Sequence, residues 1–317
     1  MISIKFKYFS FSIFLLLNAL LSSCQPKESG ILIELELNKT TDTSLYLKTA
    51  KILRSRLSSI YDIEDVLLTR NDNHITIKIP SQNDSQLIRD YLFKKGNFEI
   101  VETFEVREFD QFLKSINSKL TLRNNFGLFK TDTTRIDKVN PLSTLLDPQW
   151  FPMSIPVIGY SFRKDTSIVN TIFRQPEIDS LLPGDFDYRW EKDDEVKKDA
   201  FKFIVIKKPH NYKVLSRDMI SVAKALESKN MDGELTITLK KEYIGFWETM
   251  TFKNIGRKLV ILMDDQVISI PQVHGVISDG VNSVAPIKLK KAKLLASILN
   301  NEMIPLDVKI SKIELVK

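Results

Sequence analysis

At 317 residues, with 43% hydrophobic and 27% charged side chains, the chain has the balance of an ordinary folded protein and enough length for about two domains. Its formal charge of +6, which falls by two once Lys5 and Lys7 of the N-terminal segment are set aside, is too mild for the electrostatic footprint of a nucleic-acid binder. One cysteine, Cys24, excludes both an intramolecular disulfide and a cysteine-built zinc site.

Met1 to Ser23 carries the two lysines, then an apolar core from Phe9 to Leu21, then Leu21-Ser22-Ser23-Cys24. That order is a signal peptide over 1–23, and Leu-Ser-Ser-Cys resembles the lipobox at which bacterial lipoproteins are acylated and cut. Cys24 is therefore the expected lipid attachment, with residues 24–30 as a short tether. A plain secretory signal, or a short anchor helix with an incidental thiol, is the alternative reading. The apolar core is shorter than the ~20 residues a spanning helix needs, and no later run approaches that length, so the mature chain is expected to lack a transmembrane helix. The implied location is the envelope of a Gram-negative-type bacterium, facing the periplasm, with outer or inner membrane left open.

Ile31 to Leu37 alternates as a strand with one buried face. Asp42 or Thr43 suits the cap of a helix whose Tyr46, Ala50, Leu53, Leu57 and Ile60 form one stripe. A strand over Asp65–Thr69, a turn at Asn71-Asp72-Asn73, a strand with Ile75, Ile77 and Ile79 on one face, a helix over Asp84–Lys95 and a strand over Phe98–Phe104 follow. The order predicts an α+β fold with a ferredoxin-like βαββαβ base over 31–105.

From Arg107 the pattern changes. Phe109, Phe112, Leu113 and Ile116 mark a helix, and Leu122–Phe162 is proline-rich and aperiodic. Asp165 or Thr166 is placed to cap a short helix. Phe186, Tyr188 and Trp190, then Phe201, Phe203 and Val205, alternate as two strands joined by the charged run Glu191–Asp199. Leu235, Ile237 and Leu239 mark a further strand, and Tyr243, Trp247, Met250 and Thr251 one face of a helix that Gly256 stops. Leu259–Met263, Asp264-Asp265 and Val267–Ile270 form a hairpin. Val273–Pro286 is turn-rich, Ala292, Leu295, Ala296 and Leu299 line a helix, and Val308–Val316 is a last strand. An inserted α+β head over 106–290, with 291–317 returning to the base, is the expected organisation.

No catalytic constellation emerges. His74, His210 and His274 lack a second ligand or base at helical spacing, and neither H-E-x-x-H nor G-x-S-x-G occurs. Asp264-Asp265 and Asp193-Asp194 lack the spaced oxygen donors of a calcium loop. No catalytic, cofactor-binding or metal-binding residue is expected, and no enzyme. The cluster Lys288-Leu289-Lys290-Lys291-Ala292-Lys293 reads as the wet face of a helix, with anionic head groups as the alternative.

Thr251 with Asn254-Ile255-Gly256 and the 259–270 hairpin, together with Ile52-Leu53-Arg54-Ser55-Arg56-Leu57, Ile79-Pro80 and Phe98-Glu99-Ile100, resembles the first periplasmic domain of the SecD and SecDF protein-export family. The resemblance implies a base and a head that holds an emerging polypeptide. Expected partners are polypeptide in transit or Sec translocon components, with the membrane reached through Cys24. The family's proton-driven step needs residues within transmembrane helices, so none carries over. Three departures stand out: Asp265 where the family's hairpin has glycine, Ala285-Pro286 for a threonine-glycine-asparagine turn, and Lys290-Lys291 for acidic residues. The alternative function is an envelope structural or trafficking lipoprotein that binds other envelope proteins.

Overall fold

The computed structural model describes residues 30–37, 43–61, 67–71, 74–79, 84–123, 139–147, 155–192, 199–208, 214–227 and 232–316. Cys24 and the signal segment, the 72–73 turn, His210 and Asp193-Asp194 lie outside these residues. Mixed helix and sheet fill the described chain, which divides into two compact units. One takes its described residues from 1–47, 61–93 and 306–317, the other from 48–60 and 94–305, the division falling within one helix.

The first unit is a four-stranded antiparallel sheet. Its strands are β1 (Gly30–Leu37), β2 (Leu67–Asn71), β3 (His74–Ile79) and β14 (Val308–Val316), in the order β14-β1-β3-β2. Ile31, Ile33 and Leu35 stand directly opposite Ile79, Ile77 and Ile75, and all six are fully buried. Strand alternation sends every second side chain to one face, and cross-strand apolar pairs of this kind are the unit of sheet stability. Helix α1 (Thr43–Ser58) supplies buried Tyr46 to this unit from its first turn. A short helix α2 (Ser85–Leu87) continues as a π-helical turn over Ile88–Leu92, burying Ile88 and Leu92.

One expectation is corrected. Phe98–Phe104 was the anticipated fourth strand of the base, but β4 (Phe98–Thr103) pairs in the larger unit, and the place beside β1 is taken by β14 along all of Gly30–Leu37. The reason is burial on both faces. Val101 joins one apolar cluster and Phe104, at its end, another, and β14 carries Lys309, Lys312 and Glu314, which suits an edge strand.

The second unit holds two sheets. The larger contains β5 (Val157–Phe162), β6 (Phe186–Lys192), β7 (Ala200–Lys207), β8 (Leu215–Ser216), β11 (Val260–Met263) and β12 (Gln266–Ser269) with β4. Its path is β12-β11-β4-β7-β5, with β6 on β7 and β8 on β4. Strand β7 is apolar on both faces. Phe203 and Val205 enter a cluster with α3 (Val106–Arg123), α4 (Pro141–Leu145) and α5 (Arg163–Phe173), while Ile204 and Ile206 enter another with Val101, Val260 and Leu262. Phe173, Phe186, Tyr188 and Phe203 pack ring on ring, with centroids 4.8–6.0 Å apart. Helix α5 begins at Arg163 without a side-chain cap, so Asp165 lies inside its first turn, buried, and is not the cap anticipated. A one-turn helix, α6 (Pro176–Asp179), follows, opened by a proline whose missing N–H costs nothing in the first turn.

The smaller sheet runs β13-β10-β9, from β9 (Ile220–Glu227), β10 (Asp232–Leu239) and β13 (Val281–Lys288). Helix α8 (Leu289–Asn300) packs on it, burying Ala292, Leu295, Ala296 and Leu299 as their spacing predicts. Gly233 makes this approach possible. A Cβ there would come within 2.6 Å of the Leu289 Cα and 3.2 Å of the Ala292 Cβ. Ala285-Pro286 lies in β13, not in a turn, at the irregular step where two residues of β13 go unpaired with β10. Proline is tolerated there because β13 is an edge strand and needs no N–H at a bulge.

Candidate functional site

The second unit is organised around the hairpin β11–β12. Strand β11 is buried at all four positions and pairs with β4 from Val260↔Val101 to Met263↔Phe98. Asp264 and Asp265 form its two-residue turn at φ 48° and 62°, the left-handed pair that aspartate accepts and most residues resist. Their carboxylates serve different neighbours. Asp264 accepts from the backbone N–H of Asn97 at 2.7 Å and of Gly96 at 3.1 Å, and its own N–H donates to the Asn97 carbonyl. Asp265 meets the Arg189 guanidinium at 2.6 Å from β6.

Two arginines flank the Gly96 turn. Arg217 donates to the carbonyls of Gly96 (2.8 Å) and Ile298 (3.0 Å), and Arg56 to those of Lys94 and Lys95. Gly96 has φ +100°, and a Cβ there would strike Arg217 at 2.4 Å. Burial foremost, and then Arg217, lower the Arg56 pKa to about 10, with Asp264 opposing, so Arg56 stays charged at neutral pH. This is a clamp on backbone carbonyls.

A third feature is apolar. Helix α7 (Ile244–Lys253), entered through a 3-10 turn at Lys241–Tyr243, buries Trp247, Met250 and Thr251 as expected, with Tyr243 half-buried. The Thr251 hydroxyl donates to the Trp247 carbonyl at 2.9 Å and accepts the Ile277 N–H at 3.0 Å. Gly256, at φ +79°, donates its N–H to the Val273 carbonyl at 2.8 Å. These bonds hold the 271–277 segment over α7 and leave beneath it a cavity of about 380 Å³, lined chiefly by Trp247, Leu259, Ile261, Val273, Ile277 and Val284. Val276 and Val281 stand exposed at its walls, and Phe252, 66% exposed, and Ile255 are further exposed apolar residues at the end of α7. Exposed large apolar side chains gathered this way mark binding surfaces.

Residues 192–306 match the family model described as SecDF, P1 head subdomain. Over that span the chain is similar to the P1 head subdomain of SecDF. Its hairpin, clamp and cavity contribute residues from this span. The protein translocase subunit SecD of Rhodothermus marinus is 20% identical over 295 residues, which are 83% of this chain and 45% of that protein. The chain thus spans less than half the length of that curated relative. Among solved structures, a membrane component SecDF that enhances protein export is similar at 15% identity and TM-score 0.40, covering 90% of this chain and all of that one. SecDF in a super-membrane-facing form is similar at 17% identity and TM-score 0.42, covering 96% of this chain and 35% of that one.

The second unit brings together Trp247, Thr251, Asn254 and the hairpin, all singled out in the sequence. Asn254 is buried and donates to Glu102 at 2.6 Å and to the Met250 carbonyl at 2.9 Å. His74 is exposed at the start of β3, and His274 is exposed at the cavity. Of the lysine cluster, Lys288, Lys290 and Lys293 are exposed while Lys291 reaches the Ile268 carbonyl. Among the described residues no group of three or more His, Cys, Asp or Glu could hold a metal, and no helix is long and apolar enough to cross a membrane. Sequence reasoning missed the cavity itself, because Val276 and Val281 look like ordinary turn and strand residues until Thr251 holds the loop in place.

Proposed function

We propose that this chain is a membrane-tethered, SecD-like binding module of the cell envelope. Without catalysis or a cofactor, it holds exported or unfolded polypeptide, or a Sec translocon partner, during protein export. In this reading the four-stranded sheet with β14 is a ferredoxin-like base, the unit bearing the cavity is the head, and lipid on Cys24 keeps both at the periplasmic face of a membrane. The observation that carries the reading is the cavity over α7 with exposed Val276 and Val281 at its walls, alongside the exposed Phe252 and Ile255 at the end of that helix. Such a surface supplies sequence-tolerant apolar contact, which is what a polypeptide without fixed structure can offer in return.

The purified chain is tested by light scattering of a chemically unfolded client diluted into buffer. Suppression of aggregation, lost in the double variant Val276→Asp, Phe252→Asp, is the expected result. Unchanged aggregation, alongside capture of one folded stoichiometric envelope protein, would instead support a structural lipoprotein.

A further inference from the structure

The chain is close to charge balance, with 46 lysines and arginines against 40 acids, but the balance is not local. Within the second unit, residues 48–60, 94–97 and 288–305 hold ten lysines and arginines and one acid, Glu302. Hydrogen bonds and an ion pair join these segments. The Ser297 hydroxyl of α8 donates to the Ser55 carbonyl of α1 at 3.3 Å, and Lys48 of α1 pairs with Glu302, just beyond the end of α8. Arg56 donates to the carbonyls of Lys94 and Lys95, and the latter also accepts the Ile304 N–H.

With Lys48 against Glu302 and Ser55 against Ser297, the two helices run antiparallel and their wet stripes meet. On α1, Lys48, Lys51, Ser55 and Ser58 recur at the three- and four-residue spacing of one face, with exposed Arg54 beside them. Lys290, Lys293 and Ser297 do the same on α8. The cations of α1 therefore continue into Lys293 and Lys290 along a strip roughly 25 Å long, at about 1.5 Å per helical residue.

Stability does not account for this strip. Lys290 and Lys291 stand in the first turn of α8, which contains no acid, and there they oppose the helix dipole. Among the described residues no carboxylate pairs with Lys51, Arg54, Lys288 or Lys293. Crowded like charges repel, so the strip destabilises the fold that carries it and calls for a partner that supplies the missing anions. Eight of the ten cations are lysines, mobile point charges that suit a diffuse array of phosphates better than a bidentate grip on one group. Met303, 46% exposed, is the one large apolar side chain exposed in these segments, too little for the aromatic and apolar centre of a protein interface.

We infer that the strip along α1 and α8 lies on anionic lipid head groups of the membrane to which the chain is tethered. Its ammonium and guanidinium groups meet head-group phosphates, and the contact fixes which side of the second unit faces the bilayer. The inference rests on the membrane-tethered part of the proposed function and is independent of polypeptide capture.

The test uses the full chain with Cys24→Ser, so that no acyl chain holds it to every vesicle. It is sedimented with vesicles of phosphatidylcholine alone, or with phosphatidylglycerol as about a third of the lipid. Each cation near such a surface is worth about fivefold in binding, so Lys51→Gln, Arg54→Gln and Lys293→Gln together should weaken binding to the anionic vesicles about a hundredfold. A second triple variant, Lys164→Gln, Lys241→Gln and Lys253→Gln, changes exposed lysines of α5, the 241–243 turn and α7. It has the same net charge as the first and should bind as the parent does. Residues 1–23 are common to all three chains and contribute equally, and thermal midpoints should stay unchanged because every altered side chain is exposed. Equal partitioning of the parent onto both vesicle types, or equal losses in the two triple variants, overturns the assignment. Displacement of the parent from anionic vesicles by a polyglutamate peptide that the first variant does not bind would assign the strip to an acidic protein instead. Each contrary outcome leaves the capture reading and the Cys24 anchor standing, since neither enters the measurement.

Discussion

Replacing Asp264 by glycine keeps the left-handed turn conformation available while removing the acceptor of the Gly96 and Asn97 N–H groups. That change should cost about 1.5–3 kcal/mol, the range for hydrogen bonds to a charged group. Asp265→Gly loses ion pairs to Arg189 and Lys208 whose carboxylate side is 65% exposed, and should stay within about 1 kcal/mol. Denaturant unfolding of the two variants checks the contrast. Glu108 carries a pH dependence. Burial pushes its carboxyl up, but the two-pronged contact with Arg257 at 2.6 and 2.9 Å and the Glu105 N–H outweigh it, and the net pKa is lowered. A carboxylate with a folded pKa below its unfolded one adds stability above the ordinary carboxylate range and loses it as pH falls through the folded value. Glu108→Gln should therefore flatten the acid limb of the stability-versus-pH curve and leave its slope above neutrality unchanged.

At the scale of elements, the close approach of α8 to β10 depends on Gly233, so Gly233→Val should destabilise by about 1–3 kcal/mol through overpacking, read from the thermal midpoint. The strands legible in the sequence are those whose alternation leaves one face wet or whose apolar run is bracketed by turn residues, such as β3, β10 and the β11–β12 hairpin with its aspartates. Strand β9 was not legible. Its Ala223-Lys224-Ala225-Leu226-Glu227 consists of helix formers, and pairing with β10 from Leu239↔Ile220 to Gly233↔Glu227, together with the Asn300 clamp, overrides that propensity. The exchange of β4 for β14 was hidden for a related reason. Both segments read as strands, and only partner choice, set by long-range contacts absent from local pattern, decides which sheet each joins. That Asn282 lines the cavity was likewise invisible, since a lone asparagine before Ser283 suggests a turn until its strand register turns it inward.

For the whole molecule, the proposed role joins an anchor to a capturing surface. Cys24→Ser should abolish metabolic labelling with palmitate and release the chain from the membrane fraction; retained label would remove the anchor from the account. The capture claim is tested most directly by a photo-crosslinking residue placed singly at Val276 on the cavity wall, at Phe252 on the exposed apolar end of α7 and, as a control, at Lys114 of α3, an exposed charged position on another helix. The probes are read in cells of the source bacterium while an export intermediate is arrested in transit. Adducts to the arrested polypeptide from positions 276 and 252, with none from 114, are the predicted result. Equal labelling from all three positions, or labelling from 114 alone, would contradict it.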